Sequence, residues 1–201
     1  ARSARTTVNV AVQTVFPYPK SVTIAAGLVL NFTGLDNNNF VFSIPTDTSQ
    51  SVDSLTGIAT FSNTVLFEGL FLTDTFVKDT SQRQRFILTN DKVDTTSMIV
   101  EVTSGTITEK YLQATDITKI DSTSKVFFLE ESEYQIPEIL FGDGVIGKAL
   151  TNGDVVTVRY TTSSGNGANG LKVFENIGTY RDNVGNAISS GITITAVSFP
   201  D

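Results

Sequence analysis

The stretch 141-FGDGVIGKAL-150 carries the residue types that phosphate chemistry needs. From Gly142 it reads G-x-x-x-x-G-K, the spacing of a nucleotide-binding P-loop, and it also contains G-x-G-x-x-G, the dinucleotide fingerprint. In a P-loop, successive backbone N–H groups surround the phosphates, the Lys reaches their oxygens and a following Ser or Thr binds Mg²⁺. Here Ala149 stands at the hydroxyl position. TNGD at 151–154 then runs into the strand-like DVVTVRY, leaving no room for the helix whose N-terminus would hold the anion. VFFLEE at 126–131 has the form of a Walker B strand, but it lies upstream of the loop, where that element normally comes later. The residues therefore predict a turn. Phe141 ends a strand, GDG bends on glycines free to take positive φ, and Val145 and Ile146 insert apolar side chains. Asn152–Gly153 is then a hairpin signal feeding Val155 to Tyr160.

Other clusters are less specific. Glu130, Glu131, Glu133 and Glu138 could do acid–base work or hold Ca²⁺, but they read first as a solvated loop between strands. Asp36 with Asn37 to Asn39 lacks the spaced acids of a Ca²⁺ loop and reads as a turn. Arg2, Arg5, Arg83 and Arg85 are too scattered to form a patch. The chain has no Cys and no His, which removes thiolate chemistry and the side chain that titrates near neutrality. No catalytic, cofactor-binding or metal-binding residue is expected, and no enzyme activity, cofactor or small-molecule substrate.

At 201 residues the chain can bury a sizeable core. Hydrophobic residues make up 40% and charged ones 17%, too apolar for a disordered chain. The net charge of −7 argues against nucleic-acid and anionic-membrane partners, because phosphate affinity needs clustered cations. No apolar run has the length that a membrane-spanning helix needs.

Period-two alternation dominates what must position these residues. TTVNVAVQTV at 6–15 puts Val8, Val10 and Val12 on one face, and Asn9, Ala11 and Gln13 on the other. Further strand-like runs are VTI at 22–24, LVLNF at 28–32, FVFSI at 40–44, GIATF at 57–61, RFIL at 85–88 and SMIVEV at 97–102. KVFFLE at 125–130, DVVTVRY at 154–160 and ITITAV at 192–197 complete them. The best helical stretch, 106–120, is Thr-rich and a poor one, and 62–72 reads as either a short helix or a buried strand. The expectation is a mainly β fold of antiparallel, sandwich-like domains with little helix. The plausible boundary lies near Ser104–Gly105, giving a β domain over 1–104, with a variable excursion around 46–100, and a second over 105–201 carrying the FGDG hairpin block.

Two parts of the sequence together resemble the baseplate J-like proteins, a family that includes the baseplate wedge subunit of contractile-tailed phages. RSARTTVNVAV at 2–12 and VTIAAG at 22–27 resemble that family's Arg- and Ala-containing lead-in, strand and V-T-I-P-x-G, with Ala25 at the Pro position. Leu28 to Phe32 and FVFSI follow as the family's next strands do. The block at 126–170 is similar to its signature: an apolar strand, an acidic turn, F-G-D-G-x-x-G, a later Gly, V-x-V-x-Y and a Gly/Asn-rich tail. Phe141, Gly142, Asp143, Gly144, Gly147, Gly153, Val156, Val158, Tyr160 and Gly170 fall on that pattern. The likeness covers roughly half of the chain and implies an internal or C-terminal fragment of a longer protein. It also implies a structural role in the virion tail: a dimeric subunit, made in the host cytoplasm, that packs against wedge and hub proteins to close the baseplate ring. The family has no catalytic residues to carry over. The alternative is a β-sandwich module binding carbohydrate or a cell surface, with Tyr111 or Tyr134 as the platform for sugar rings.

Overall fold

The computed structural model describes residues 2–34, 38–81, 84–132, 134–162 and 167–201. Short runs of Val, Ile, Phe and Thr form strands throughout, because β-branched and aromatic side chains pack well on a pleated, half-buried surface. Up to residue 71 the strands are β1 (Arg5–Gln13), β2 (Ser21–Ile24), β3 (Gly27–Thr33), β4 (Asn39–Ile44), β5 (Thr48–Ser51) and β6 (Ile58–Glu68). Next come β7 (Leu72–Val77), β8 (Phe86–Ile87), β9 (Ile99–Ser104), β10 (Ile107–Gln113), a 3₁₀ turn at Ile117–Lys119, β11 (Val126–Glu131), β12 (Pro137–Phe141) and β13 (Val155–Tyr160). The remainder holds β14 (Phe174–Asn176), β15 (Tyr180–Asp182), β16 (Ala187–Ile188) and β17 (Ile192–Ser198). Residues 62–68 continue β6 rather than forming a helix, and 106–120 divides into β10 and the 3₁₀ turn.

These strands make two compact units. Leu72–Tyr160 forms one, and Arg2–Phe71 joins Thr161–Asp201 to form the other. This differs from the expected division into 1–104 and 105–201. Ser104–Gly105 is the turn of a hairpin in which Ser104 pairs with Ile107 and Thr103 with Thr108. Gly105 sits there at φ +61°. A strand followed by glycine looks like a domain end when only local signals are read. The true division follows long-range ladders such as β1 with β17. The expected excursion at 46–100 is likewise split, with β5 and β6 in one unit and β7 to β9 in the other.

The discontinuous unit is a sandwich. One sheet runs β14-β3-β4-β6-β1-β17, and the other β16-β15-β2-β5. Alternation along β1 sends Val8, Val10 and Val12 into a core shared with Ile24, Leu30, Phe32, Phe42, Phe61 and Tyr180. Phe32 anchors it, with its ring 5.0 Å from Phe42 and 5.2 Å from Phe174. Each such fully buried side chain contributes about 1.5–3 kcal/mol through removal of apolar surface from water.

The continuous unit is one curled sheet of order β7-β13-β9-β10-β11-β12-β8. Its pairings are antiparallel except β10 with β11, where Leu112 aligns with Val126 in parallel. The 3₁₀ turn and its flanks allow this, since a parallel pair needs a crossover connection of about a dozen residues. The two edge strands are drawn together by side chains, so the sheet is barrel-like. Asp74 on β7 accepts from the Thr89 amide at 2.8 Å and hydroxyl at 2.9 Å, just past β8. The Gln84 amide group donates to the Val77 carbonyl at 2.7 Å. Tyr160, fully buried, donates its hydroxyl to Asp74 at 2.9 Å and accepts from the Asn90 amide group at 2.9 Å. Val100, Val102, Tyr111, Phe127, Ile139, Val156 and Val158 fill the interior.

Candidate functional site

The glycine loop leaves β12 at Phe141 and reaches β13 at Val155. These strands are not neighbours: β13 lies between β7 and β9, and β12 between β11 and β8. The expected hairpin is therefore a crossover. Asn152–Gly153 turns not into a β12 partner but against the end of β7, where Gly153 N–H donates to the Lys78 carbonyl and Lys78 N–H to the Asp154 carbonyl, both at 2.8 Å. The Asn152 side-chain oxygen accepts from the Thr80 amide at 3.1 Å. A dipeptide that favours tight turns specifies the bend, whereas the partner of the following strand is set by tertiary pairing.

Within the loop every amide from Gly144 to Lys148 is bound inside the protein. Asp143 Oδ1 accepts from Val145 N–H at 2.9 Å and from Ile146 N–H at 3.0 Å. Gly144 N–H donates to Gly147 O at 3.0 Å, Gly147 N–H to Asp121 O at 2.9 Å, and Lys148 N–H to Ser124 O at 2.8 Å. The Asp143 carboxylate thus fills the role that a phosphate would take in a P-loop. Those amides hold its pKa below the usual carboxylate range. The glycines permit the crossing: a Cβ on Gly142 would lie 2.2 Å from the Gly147 carbonyl, and Gly144 and Gly147 take φ of +89° and +83°.

Lys148, the residue that would reach a phosphate, is committed elsewhere. Its Nζ lies 2.8 Å from Glu109 Oε2, while Lys125 Nζ lies 2.7 Å from Glu109 Oε1. Hydrogen bonds from Lys125 first, and then Lys148, pull the Glu109 pKa down to about 2. The bond from Glu109 raises that of Lys148. Asp121 is drawn down to about 2 by the Ser124 hydroxyl and the Thr123 amide and hydroxyl, which fixes the carbonyl that receives Gly147. Burial pushes Asp154 up, but hydrogen bonds from Ser104 and Thr151 outweigh it and leave the pKa lowered.

The loop therefore projects side chains rather than offering a cradle. Val145 is 74% exposed and Ile146 40%, whereas the sequence pattern predicted that they insert into the interior. Backbone capping by Asp143 turns these two outward while keeping the main chain fixed, a geometry that apolar periodicity does not encode.

The acidic group is also rearranged. Glu130 and Glu131 end β11, and Glu133 lies outside the described residues. Glu138 is not in a solvated loop: it sits on β12, buried, and takes a bidentate contact from the Arg85 guanidinium through Nε (2.9 and 3.1 Å) and Nη2. Arg83, Asp36 and Asn37 also lie outside the described residues. Among the described residues, no group of three or more acidic side chains is placed to hold a metal ion.

A second feature, in the sandwich unit, was not evident from sequence. A groove of about 500 Å³ opens beside Gln13, Tyr18, Lys20, Asn183, Val184 and Ile188. Its polar groups are largely engaged: Asn183 Oδ1 accepts from Lys20 N–H at 2.8 Å, and Gln13 Nε2 donates to Thr56 O at 3.0 Å. The exposed aliphatics that line it are Val15 and Val184, and the exposed Phe16 ring stands edge-on to Tyr18 at 5.6 Å. The FPYPK stretch at 16–20, with Pro17 and Pro19 on either side of Tyr18, was the available signal. Of the two tyrosines considered as sugar platforms, Tyr111 is buried in the barrel-like core and Tyr134 is exposed.

No protein-family model matches this chain, and no curated protein matches its sequence significantly.

Proposed function

We propose that this chain is a structural subunit of a phage contractile-tail baseplate wedge, acting through protein–protein contacts with other wedge and hub proteins in the virion. The observation that carries the reading is the FGDG loop. Its amides from Gly144 to Lys148 are bound internally, its lysine is paired with Glu109, and what it offers to a partner is the apolar Val145–Ile146 tip on a fixed backbone. A rigid apolar projection loses little conformational entropy on burial and suits a permanent contact better than catalysis. The motif by which the chain resembles the baseplate J-like proteins is thus the element best prepared for assembly. The role requires no cofactor, nucleic acid or membrane.

The test is co-purification with the wedge and hub proteins encoded alongside it, comparing the natural chain with Val145→Asp/Ile146→Asp. The expected result is stable association of the natural chain and loss of it in the variant, with circular dichroism unchanged. Absence of association with any of those proteins would reject the reading. The carbohydrate-binding alternative draws its support from the groove at Tyr18 and the exposed Phe16. Glycan binding that disappears in Tyr18→Ala would favour it.

A further inference from the structure

We propose that β17 pairs edge to edge with β17 of a second copy of this chain, joining two six-stranded sheets into one continuous sheet. The motive is the state of that edge. Among the described residues, β17 is the last strand of its sheet and pairs on one side only, with β1. A sheet edge presents unpaired N–H and C=O groups that only another extended backbone can match, and proteins usually guard it with charges or proline. The stretch from Ile192 to Ala196 has neither. Guarding begins only at Val197, where the register against β1 shifts between the pairs Thr7–Ser198 and Val8–Ala196.

The side chains show the same incompleteness. On β1 the core-facing Val8, Val10 and Val12 are fully buried. On β17 the core-facing Ile192 and Ile194 pack against the same core yet remain partly exposed. A further strand would cover them.

A second copy fits this edge by symmetry. In an antiparallel pair about a two-fold axis at Ile194, Ile192 of each copy lies opposite Ala196 of the other, and the two Ile194 residues face each other on the core side. On the outer face, Thr193 of each copy stands opposite Thr195 of the other. Identical faces coincide, as an isologous contact requires, and Thr–Thr and Ile–Ile are favourable cross-strand neighbours. The chain's net charge of −7 does not oppose the contact locally, because no residue from Ile192 to Ala196 is charged. Five residues a side make a small interface, of the weak and concentration-dependent class.

The inference stands apart from the baseplate reading, since edge pairing can hold whatever the assembly is. Sedimentation of the natural chain up to roughly 1 mM, where an association of about 4 kcal/mol half-populates a dimer, is compared with Thr193→Lys/Thr195→Lys. These two threonines are exposed, so the lysines leave the core intact but crowd four cations across the axis. The expected result is a monomer–dimer equilibrium for the natural chain and a monomer for the variant, with the melting temperature kept. Independently, Thr193→Cys/Thr195→Cys, in a chain otherwise free of cysteine, should cross-link as a dimer on mild oxidation, and Thr60→Cys on the same sheet should not. A monomer at every concentration, a dimer indifferent to the lysines, or equal cross-linking at Thr60 would each overturn the proposal.

Discussion

Replacing Gly142 with Ala separates the crossover geometry from ordinary glycine effects. Gly142 has no positive φ, so alanine costs nothing there through backbone strain. Its cost is steric: the added Cβ would sit 2.2 Å from both the carbonyl carbon and oxygen of Gly147. Relieving the overlap requires the two passes of backbone to part by more than 1 Å on ordinary van der Waals distances of about 3.4 Å or more. That movement strains the Gly144-to-Gly147 and Gly147-to-Asp121 hydrogen bonds and the bridge between Gly142 and Ala149. Two or three bonds at about 1 kcal/mol each, with an overpacking cost of about 1–3 kcal/mol, give a loss of roughly 3–6 kcal/mol. Gly144→Ala is the control. Its Cβ would meet only the Ala149 methyl at 3.8 Å, so the cost is confined to its φ of +89°. Left-handed strain of about 1–2 kcal/mol, offset by about 0.4–1 kcal/mol from a stiffer unfolded chain, leaves roughly 1 kcal/mol. Urea unfolding followed by tyrosine fluorescence measures both, with hydrogen exchange assigning the loss to the Leu72–Tyr160 unit. Equal effects of the two substitutions, or a Gly142→Ala loss below roughly 0.5 kcal/mol, the range of neutral surface changes, would refute the crossing.

Three other expectations can be checked on the same preparation. Glu109 has a folded pKa of about 2 against an ordinary 4.5. Its lysine contacts therefore add stability that is fully present above about pH 5 and lost as pH falls towards 2; Glu109→Gln should flatten that part of the stability profile measured by thermal melts. Arg85→Ala removes the bidentate guanidinium contact from the buried Glu138 carboxylate. With Arg85 itself half exposed, the loss should be about 2–3 kcal/mol, below the full cost of breaking a buried pair, and Glu138→Gln in the same chain should recover part of it. Phe32→Ala removes a buried ring in contact with Phe42 and Phe174; it should cost about 3–5 kcal/mol in urea unfolding, with protection lost across the sandwich unit.

What the sequence made legible were the strands whose alternation had one clear buried face. TTVNVAVQ became β1, with its three valines buried, and DVVTVRY became β13, with Val156, Val158 and Tyr160 inside. Strands without that contrast were missed. LTDTFV, now β7, alternates exposed and half-buried residues because it is a barrel edge, held by Asp74 and by Phe76 against the core rather than by a fully buried face. TSQS, now β5, is polar because it lies at the rim of a four-stranded sheet. The domain division escaped because Thr161 returns to the unit that ended at Phe71, and no local signal marks a pairing between β1 and β17 so far apart in the chain. In the glycine loop, the lack of a following helix was readable from TNGD and the strand after it. The outward turn of Val145 and Ile146 was not, since it depends on Asp143 capping two amides and on Asp121 and Ser124 receiving two more.

The central claim is that the amides of residues 144–148 have internal acceptors and leave none for an anion. Residue-resolved amide exchange by NMR, recorded with and without Mg²⁺ and ATP, tests it most directly. The structure predicts slowed exchange at all five amides and no change on adding the nucleotide. Exchange at free-loop rates, with ATP shifting and protecting Gly144 to Lys148, would contradict it.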